Sequence, residues 1–279
     1  MIIRLDGADL VSRGCPFPDS LSPADAADSL AHLLESRDPL ERDMWGFNLA
    51  DAWISAGALD PVLVDLGQEM VARLGHPEVQ ARTFAPLVLA SILERDILTA
   101  PARATAGHPR LVPDDTAERW YEAFTAWYPQ ERDTRGWVDT LGWLHAVAHG
   151  ADLVAPLAER LPAQRPALLR TCADRLVAET AHRYEQHEDA RMARALTTVL
   201  RGSGLTEEQA TDWLDAPAAV LANRAPGPSS ARVFNVCATL QSLHLALSGS
   251  ADGDVPHKAA VTDRIVSVLR THRVFARLV

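Results

Sequence analysis

Capping residues followed directly by proline recur in the first part of this chain and constrain its fold more than any other feature. Ser22-Pro23, Asp38-Pro39 and Asp60-Pro61 each join a side chain that accepts a backbone N–H to a proline at the first helical position. Apolar residues then recur at helical rather than alternating spacing, and strand signals are nearly absent. The sequence therefore predicts an all-α protein.

The same patterns predict a long series of helices, at residues 23–36, 39–57, 61–74, 77–97, 114–128, 136–149, 152–161, 165–186, 188–202, 206–215, 229–248 and 256–275. The connectors between them are short except at residues 99–112, 216–228 and 249–255. Because helices of this length joined by short turns pack antiparallel to their neighbours, we expect a stack of antiparallel helices.

Two of the helix starts, at Asp38-Pro39 and His76-Pro77, lie about 38 residues apart, close to the period of HEAT repeats. We therefore expect a HEAT-like stack, an α-α superhelix, forming a single domain over residues 23–279. Residues 1–22 are predicted to be an N-terminal extension. A helical bundle without repeats is the alternative.

Charge and hydropathy narrow the classes of partner. The net charge is −10 at pH 7 and no basic patch stands out, which argues against nucleic acid as a partner. Charged residues interrupt the first ten positions, and no segment approaches the roughly 18 uncharged apolar residues that a membrane helix needs. We expect a cytoplasmic protein that binds neither nucleic acid nor membranes.

The densest polar and aromatic stretch lies at residues 131–152. On a continuous helix, His145, His149 and Asp152 would fall within roughly 60° of one another, so one face would present two imidazoles and a carboxylate. Such a set could bind a divalent metal ion and leave positions open for water or substrate. It could equally line a metal-free polar pocket. In the structural alternative the histidines bond to neighbouring helices, and Asp152 caps the helix after Gly150.

Charged residues just upstream allow two interpretations. Arg132, Asp133, Arg135 and Asp139 either form ion pairs that fix the turn at Gly136 or bind an anionic ligand in a cleft. The glycine-rich phosphate loops, the Gly-x-Ser-x-Gly elbow and the HExxH motif are missing from the sequence. The common enzyme classes that carry those motifs therefore have no support.

Four segments of the chain, in order, resemble the bacterial domain of unknown function 2785 family: DPLERDMWGFNLADAWISAGAL, ARTFAPLVLASILERD, ERDTRGWVDTLGWLHAVAHGADLVAPLA and YEQHEDARMARAL. The resemblance spans roughly residues 38 to 247. Its most specific part is Arg135-Gly136 followed by Gly142-Trp143-x-His145-x-x-x-His149-Gly150-x-Asp152.

This resemblance implies an all-helical, HEAT-like architecture. It also implies that five positions are shared within the family for a reason: Arg135, Trp143, His145, His149 and Asp152. Trp137, where the family pattern has tyrosine, and Thr83 and Pro86 are local departures. The family supplies no established reaction.

Three hypotheses of function follow. The first is a helical-repeat protein that binds a small molecule or peptide in a groove lined by Arg135, Trp143, His145, His149 and Asp152. The alternative is a metal-dependent hydrolase in which His145, His149 and Asp152 hold the ion, while Asp133 or Asp139 acts on bound water. A purely structural, partner-binding solenoid would instead bury these groups and satisfy them internally.

Overall fold

A computed structural model describes residues 3–223, 228–251 and 253–272, and in this part of the chain the protein is all-α apart from one short hairpin, as predicted. The helices are α1 (Gly7–Ser12), α2 (Pro23–Glu35), α3 (Asn48–Ser55), α4 (Leu63–Arg73), α5 (Val79–Thr105), α6 (Asp114–Trp127), α7 (Ala146–Arg160), α8 (Arg165–Val177), α9 (Glu188–Arg201), α10 (Glu207–Thr211), α11 (Asp215–Ala222), α12 (Ala231–Ser248) and α13 (Lys258–Arg270). Across these described ranges every helix is too short or too polar to cross a bilayer.

The central helices pack side by side in chain order. α5 contacts α7, α7 contacts α9, and α9 contacts α12, while α4, α8 and α13 pack along this row. The buried side of α9 shows why: Met192, Leu196 and Val199 recur at helical spacing and are completely buried. This arrangement places the first turns of α7 and α9 next to each other, and the candidate site lies there.

The predicted helix at 39–57 is present but has two parts. Leu40–Phe47 is a π-helix that runs directly into α3. π-helical turns are rare and occur often at functional sites. Arg42, in the middle of this segment, is completely buried. The π-helix thereby presents a guanidinium group to the interior instead of to solvent.

The prediction of a helix at 136–149 is wrong for residues 136–145, and only residues 146–149 are helical. Two short strands, β1 (Trp137–Val138) and β2 (Gly142–Trp143), form an antiparallel hairpin in which Trp137 pairs with Trp143. Gly142 has a φ of +67°, and a Cβ atom there would lie 2.5 Å from Cβ of Pro39. Packing against a distant segment therefore decides the local structure, over the helical spacing of the apolar residues.

α7 begins at Ala146 and continues without a break through Gly150, where the sequence predicted a helix end. A Cβ atom at position 150 would lie 2.1 Å from Cε2 of Tyr128. The Tyr128 hydroxyl donates a hydrogen bond of 2.6 Å to the carbonyl of Val147. The glycine thus makes room for a buried ring and does not end the helix.

Other helices also differ in extent from the predicted ones. α5 continues to Thr105 through part of the predicted connector, and helical structure continues to Ala222 in the predicted 216–228 connector, of which residues 224–227 lie outside the described residues. α1 forms within the predicted extension. The predicted helix at 165–186 ends at Val177. The predicted helix at 256–275 runs from Lys258 to Arg270, and residues 273–275 lie outside the described residues.

Candidate functional site

His145 and His149 lie one turn apart at the start of α7. His145 is the N-cap residue and has a left-handed backbone conformation with φ of +48°, which is uncommon for a residue with a side chain. Both histidines are buried, and their ring centroids lie 5.6 Å apart with the rings nearly perpendicular. The hairpin before α7 therefore ends in a strained residue that points an imidazole into the protein.

The imidazole of His149 is held by α5. Its Nδ1 lies 2.9 Å from the carbonyl oxygen of Thr83, and the Phe84 ring packs against it at an interplanar angle of 73° with centroids 4.8 Å apart. Burial lowers the pKa of His149 well below its usual value, and nearby Arg191 lowers it further. His149 is therefore neutral at pH 7 and joins α7 to α5.

His145 is positioned differently, between an aromatic ring and a carboxyl group. The Trp143 ring stacks on its imidazole with centroids 4.4 Å apart, and Nε2 lies 3.4 Å from Oε1 of Glu188. This contact is within ion-pair distance but lacks hydrogen-bond geometry, so Nε2 is a buried atom without a hydrogen-bond partner among the described residues. Burial lowers the pKa of His145 to about 4.

Glu188 is the first residue of α9 and its side chain is only 1% exposed. Its Oε2 accepts a hydrogen bond of 2.9 Å from the backbone N–H of Gln186. Burial raises the pKa of Glu188, although backbone hydrogen bonds partly offset the effect. Within residues 3–223, 228–251 and 253–272, no arginine or lysine lies within ion-pair distance of this carboxyl group.

Asp152 forms ion pairs with two arginines of α9. Nε of Arg191 lies 3.2 Å from Oδ1 of Asp152, a second Arg191 nitrogen contacts Oδ2, and Arg194 donates to Oδ1 at 2.7 Å. Burial lowers the pKa of Arg191 to about 10, and the neighbouring Arg194 lowers it too. Asp152 thus joins α7 to α9 and is neither a cap nor a hydrogen-bond partner of the histidines.

The structure describes no group of three or more His, Cys, Asp or Glu side chains that could hold a metal ion in residues 3–223, 228–251 and 253–272. His149 is bonded to Thr83, His145 faces Glu188, and Asp152 is paired with arginines. These three side chains contact different partners, and metal binding by His145, His149 and Asp152 stays a prediction.

The two aspartates proposed to act on bound water have other partners. Arg135 donates to both carboxylate oxygens of Asp133. Burial raises the pKa of Asp133, but these bonds outweigh burial and leave the pKa below its usual value. Asp139 is exposed and accepts a hydrogen bond of 3.2 Å from the Trp137 ring nitrogen. Neither aspartate forms an ion pair or hydrogen bond with His145 or His149.

A pocket of about 430 Å³ lies beside these groups, between the hairpin and the segment 178–187 that precedes α9. Arg135 and Trp137 contribute from the hairpin side, and Glu188 contributes from α9. The full lining is Arg135, Gly136, Trp137, Ala181, His182, Arg183, Glu185, Gln186 and Glu188. A Cβ atom on Gly136 would lie 2.5 Å from Oε1 of Glu188, so the glycine lets the two walls approach each other.

Side chains hold both walls in place. The hydroxyls of Thr134 and Thr180 share a hydrogen bond of 2.6 Å across the two segments. Asn235 of α12, which is completely buried, accepts a bond of 2.9 Å from the N–H of Tyr184 and donates one of 3.0 Å to the carbonyl of His182. These bonds replace the helical bonds predicted for this segment, which explains why α8 ends early.

The hairpin is also held from the far side, by the π-helix. The buried guanidinium of Arg42 donates to the carbonyls of Leu141 and Trp143, and it lies 2.7 Å from Oδ1 of Asp43. Burial raises the pKa of Asp43 to about 6, and Arg42 opposes this. Arg42 also lies over the Phe84 ring, 4.9 Å from its centroid. The π-helix is therefore linked to both Trp143 and the ring against which His149 packs.

A larger cavity of about 760 Å³ lies near the N-terminus and includes Ile3, Ser29 and Trp45 in its lining. The Ser29 hydroxyl is bonded to the carbonyl of Ile3 at 2.8 Å, within the protein. No buried acid beside an unpartnered base is present in that lining. This cavity is larger than the pocket beside the hairpin. The smaller pocket is nevertheless the candidate site, because it is lined by the buried Glu188, which lies 3.4 Å from Nε2 of His145.

Sequence reasoning missed the pocket wall that residues 181–188 form. Residues 181–186 were predicted to be helical, and Glu188 was predicted only as the first residue of the helix at 188–202. One signal was available, because the last of the four family-like segments begins at Tyr184 and contains His187 and Glu188. His187, the N-cap residue of α9, has a positive φ of +64°, and His145, the N-cap residue of α7, also has a positive φ.

Comparison with known proteins places this site within a family. No curated protein and no solved structure matches the chain. A family model described as "Protein of unknown function (DUF2785)" matches residues 70–245, a range that includes both walls of the pocket and all of α5, α7 and α9. The match covers more than half of the chain, and the protein therefore belongs to the DUF2785 family.

Proposed function

We propose that this protein binds a small molecule or the end of a peptide in the pocket between the hairpin and segment 178–187. One observation carries the proposal: a buried carboxyl group, Glu188, lines a pocket and lies 3.4 Å from a buried imidazole nitrogen of His145 that has no hydrogen-bond partner within the described part of the chain. Buried polar atoms are nearly always satisfied, and perturbed titratable groups in clefts concentrate at functional sites.

Backbone strain around the pocket supports the same proposal. His145 and His187 are two of the three non-glycine residues with positive φ among the described residues, and they cap the two helices that meet at the pocket. Each such conformation costs about 1–3 kcal/mol and persists where surrounding structure fixes it, typically at binding and active sites. The bonds from Asn235 and between Thr134 and Thr180 provide that fixation.

The residues predicted from the sequence take different parts in this proposal. Arg135 lines the pocket, and Trp143 and His145 form the layer behind Glu188. His149 and Asp152 hold α7 against α5 and α9, so we assign them a supporting role. The overall arrangement that we propose is a HEAT-like antiparallel stack, supported by the successive packing of α5, α7, α9 and α12.

The proposal is tested with a panel of chemically diverse small molecules, read by thermal shift and by hydrogen exchange. A ligand of this site should raise the melting temperature and slow exchange at residues 134–145 and 178–188. Gly136→Ala places a methyl group against Glu188, so binding should be lost. Gly249→Ala is the matched control, because its nearest neighbour atom would lie 3.6 Å from the new Cβ. Molecules that bind equally well to Gly136→Ala would contradict the proposal.

A further inference from the structure

Among the described residues, three charged side chains of the pocket lining, Arg183, Glu185 and Glu188, have no oppositely charged Arg, Lys, Asp or Glu side chain within ion-pair distance. No Arg or Lys nitrogen among the described residues lies within ion-pair distance of Glu188, and none of the described carboxylates lies within that distance of Arg183. The guanidinium of Arg183 instead lies over the Phe234 ring, 4.9 Å from its centroid. The same pocket is thus lined by two uncompensated acids, the exposed Glu185 and the buried Glu188, and by one uncompensated base, Arg183.

Arg183 and Glu188 differ in their depth in the pocket. Arg183 is exposed, whereas Glu188 is almost completely buried, so the cation lies at the rim of the pocket and the carboxyl group at its inner end. Stacking on Phe234 leaves the edge of the guanidinium, which carries its N–H donors, available for a planar anion such as a carboxylate. The second cation of the lining, Arg135, is already paired with Asp133.

At the inner end, the acceptors suit a compact group with several N–H donors. Oε2 of Glu188 is bonded to the N–H of Gln186, while Oε1 faces Nε2 of His145 at 3.4 Å. An ammonium group has three donors and a full positive charge, so it would offset the cost of a buried carboxylate. A ligand carboxylate at this end would meet Glu188 with like charge.

We propose that the pocket takes a zwitterionic ligand of amino-acid size, with its ammonium group toward Glu188 and its carboxylate on Arg183. This inference rests on the proposed function and specifies the ligand class for that site. The pocket volume of about 430 Å³ lies within the usual range for small-molecule sites. Trp137, whose side chain is 47% exposed on the pocket wall, is available to an apolar or aromatic ligand side chain.

The test uses matched sets of probes on the full chain. One set is L-alanine, ethylamine and propionate; the other is L-phenylalanine, phenethylamine and 3-phenylpropionate. Within each set only the amino acid carries both charges. Isothermal titration at pH 7.5 is expected to show binding of one of the amino acids at least tenfold tighter than of the matching amine or acid.

Two variants remove one charge each. Glu188→Gln and Arg183→Gln are each expected to weaken amino-acid binding at least tenfold. Glu118→Gln and Arg170→Gln, at exposed residues outside the pocket lining, are the matched controls and should leave binding unchanged. Because Glu188→Gln changes a buried group, its fold is checked by circular dichroism. Arg183→Gln, at an exposed residue, remains informative even if the other variant fails to fold.

The outcomes separate this inference from the proposed function. Binding of the amines or acids as tight as that of the amino acids, or amino-acid binding unchanged in Arg183→Gln, would overturn the zwitterionic ligand. If the amines, acids or amino acids that bind in either case no longer bound to Gly136→Ala, the pocket would remain the binding site. Failure of all six probes to bind would also overturn the zwitterionic ligand, while the wider panel would still decide whether the pocket binds any molecule.

Discussion

Oε1 of Glu188 lies 3.4 Å from Nε2 of His145, and burial acts on both groups in the direction of the uncharged form. The imidazole loses affinity for its second proton, and the carboxyl group gains affinity for its own. The two helices that carry these residues, α7 and α9, are therefore joined at their first turns by a pair whose protonation depends on burial. Local opening of this interface would return the pKa of each group toward its ordinary value.

His145 should make the protein less stable in mild acid. Its pKa is about 4 in the folded protein against 6.5 for an ordinary histidine, so between pH 6.5 and 4 the unfolded chain binds a proton that the folded chain does not. Acidification from pH 7.5 to 4.5 should therefore remove about 2–3 kcal/mol of stability through this residue. Urea unfolding at both pH values should show that the free energy of unfolding falls less between pH 7.5 and 4.5 in His145→Gln than in the wild type.

Glu188 acts in the opposite direction, because its raised pKa adds stability as the pH falls through its folded value toward 4.5. The comparison with His145→Gln isolates the histidine contribution from this one. His108→Gln, at an exposed histidine, is the matched control. An identical pH dependence in His145→Gln and the wild type would show that the imidazole is not buried as described.

Gly150→Ala should destabilise the protein although alanine is the better helix former. The exchange gains roughly 1 kcal/mol of helix propensity. However, the new Cβ would lie 2.1 Å from the buried Tyr128 ring, and overpacking of this kind costs about 1–3 kcal/mol or more. We expect a lower free energy of unfolding by urea denaturation, whereas Gly249→Ala should be neutral or slightly stabilising. A stabilised Gly150→Ala would contradict the packing of Tyr128.

Arg42→Met should loosen the hairpin from a distance. The guanidinium bonds two hairpin carbonyls and pairs with Asp43, and removing one partner of a buried pair costs about 3 kcal/mol. The amides of Leu144 and His145, which donate to the carbonyls of Gly136 and Arg135, should exchange with solvent faster.

The control for this variant is Arg132→Met, at an exposed arginine. Amides in the middle of α12, far along the chain, provide the internal reference for exchange. If Arg42→Met accelerated exchange equally in α12 and in the hairpin, the effect would be global unfolding and not release of the hairpin.

The helical class and most helix positions could be predicted because capping residues, prolines and apolar spacing act within a few residues of each other. α2 begins at Pro23, and Ser22 accepts the hydrogen bond from the N–H of Asp25, as its position before the proline predicted. The same local rules predicted α9 from Glu188 to within one residue of its end.

The site was predicted less well because its structure depends on contacts between distant parts of the chain. The apolar spacing of residues 136–149 is helical, yet Pro39 and Arg42 hold this segment as a hairpin. Segment 178–187 is kept out of a helix by Asn235, about 50 residues later. His145 and Arg135 were predicted site residues, but their neighbour Glu188 could be found only from the packing of α7 on α9.

Substitution of Asp152 distinguishes two roles for this residue: metal ligand, or member of the ion-pair network with Arg191 and Arg194. Asp152→Asn would leave Arg191 half-buried beside Arg194 without its carboxylate, so we expect a loss of about 1–3 kcal/mol in urea unfolding. Arg194→Gln should cost less than about 1 kcal/mol because Arg194 is exposed. The ion-pair network predicts that the same losses in stability are measured with and without EDTA, because Asp152 contacts Arg191 and Arg194 directly. Stoichiometric metal in the purified protein, lost in both His145→Ala and His149→Ala, would instead establish those side chains as ligands and contradict the network as the reason for Asp152.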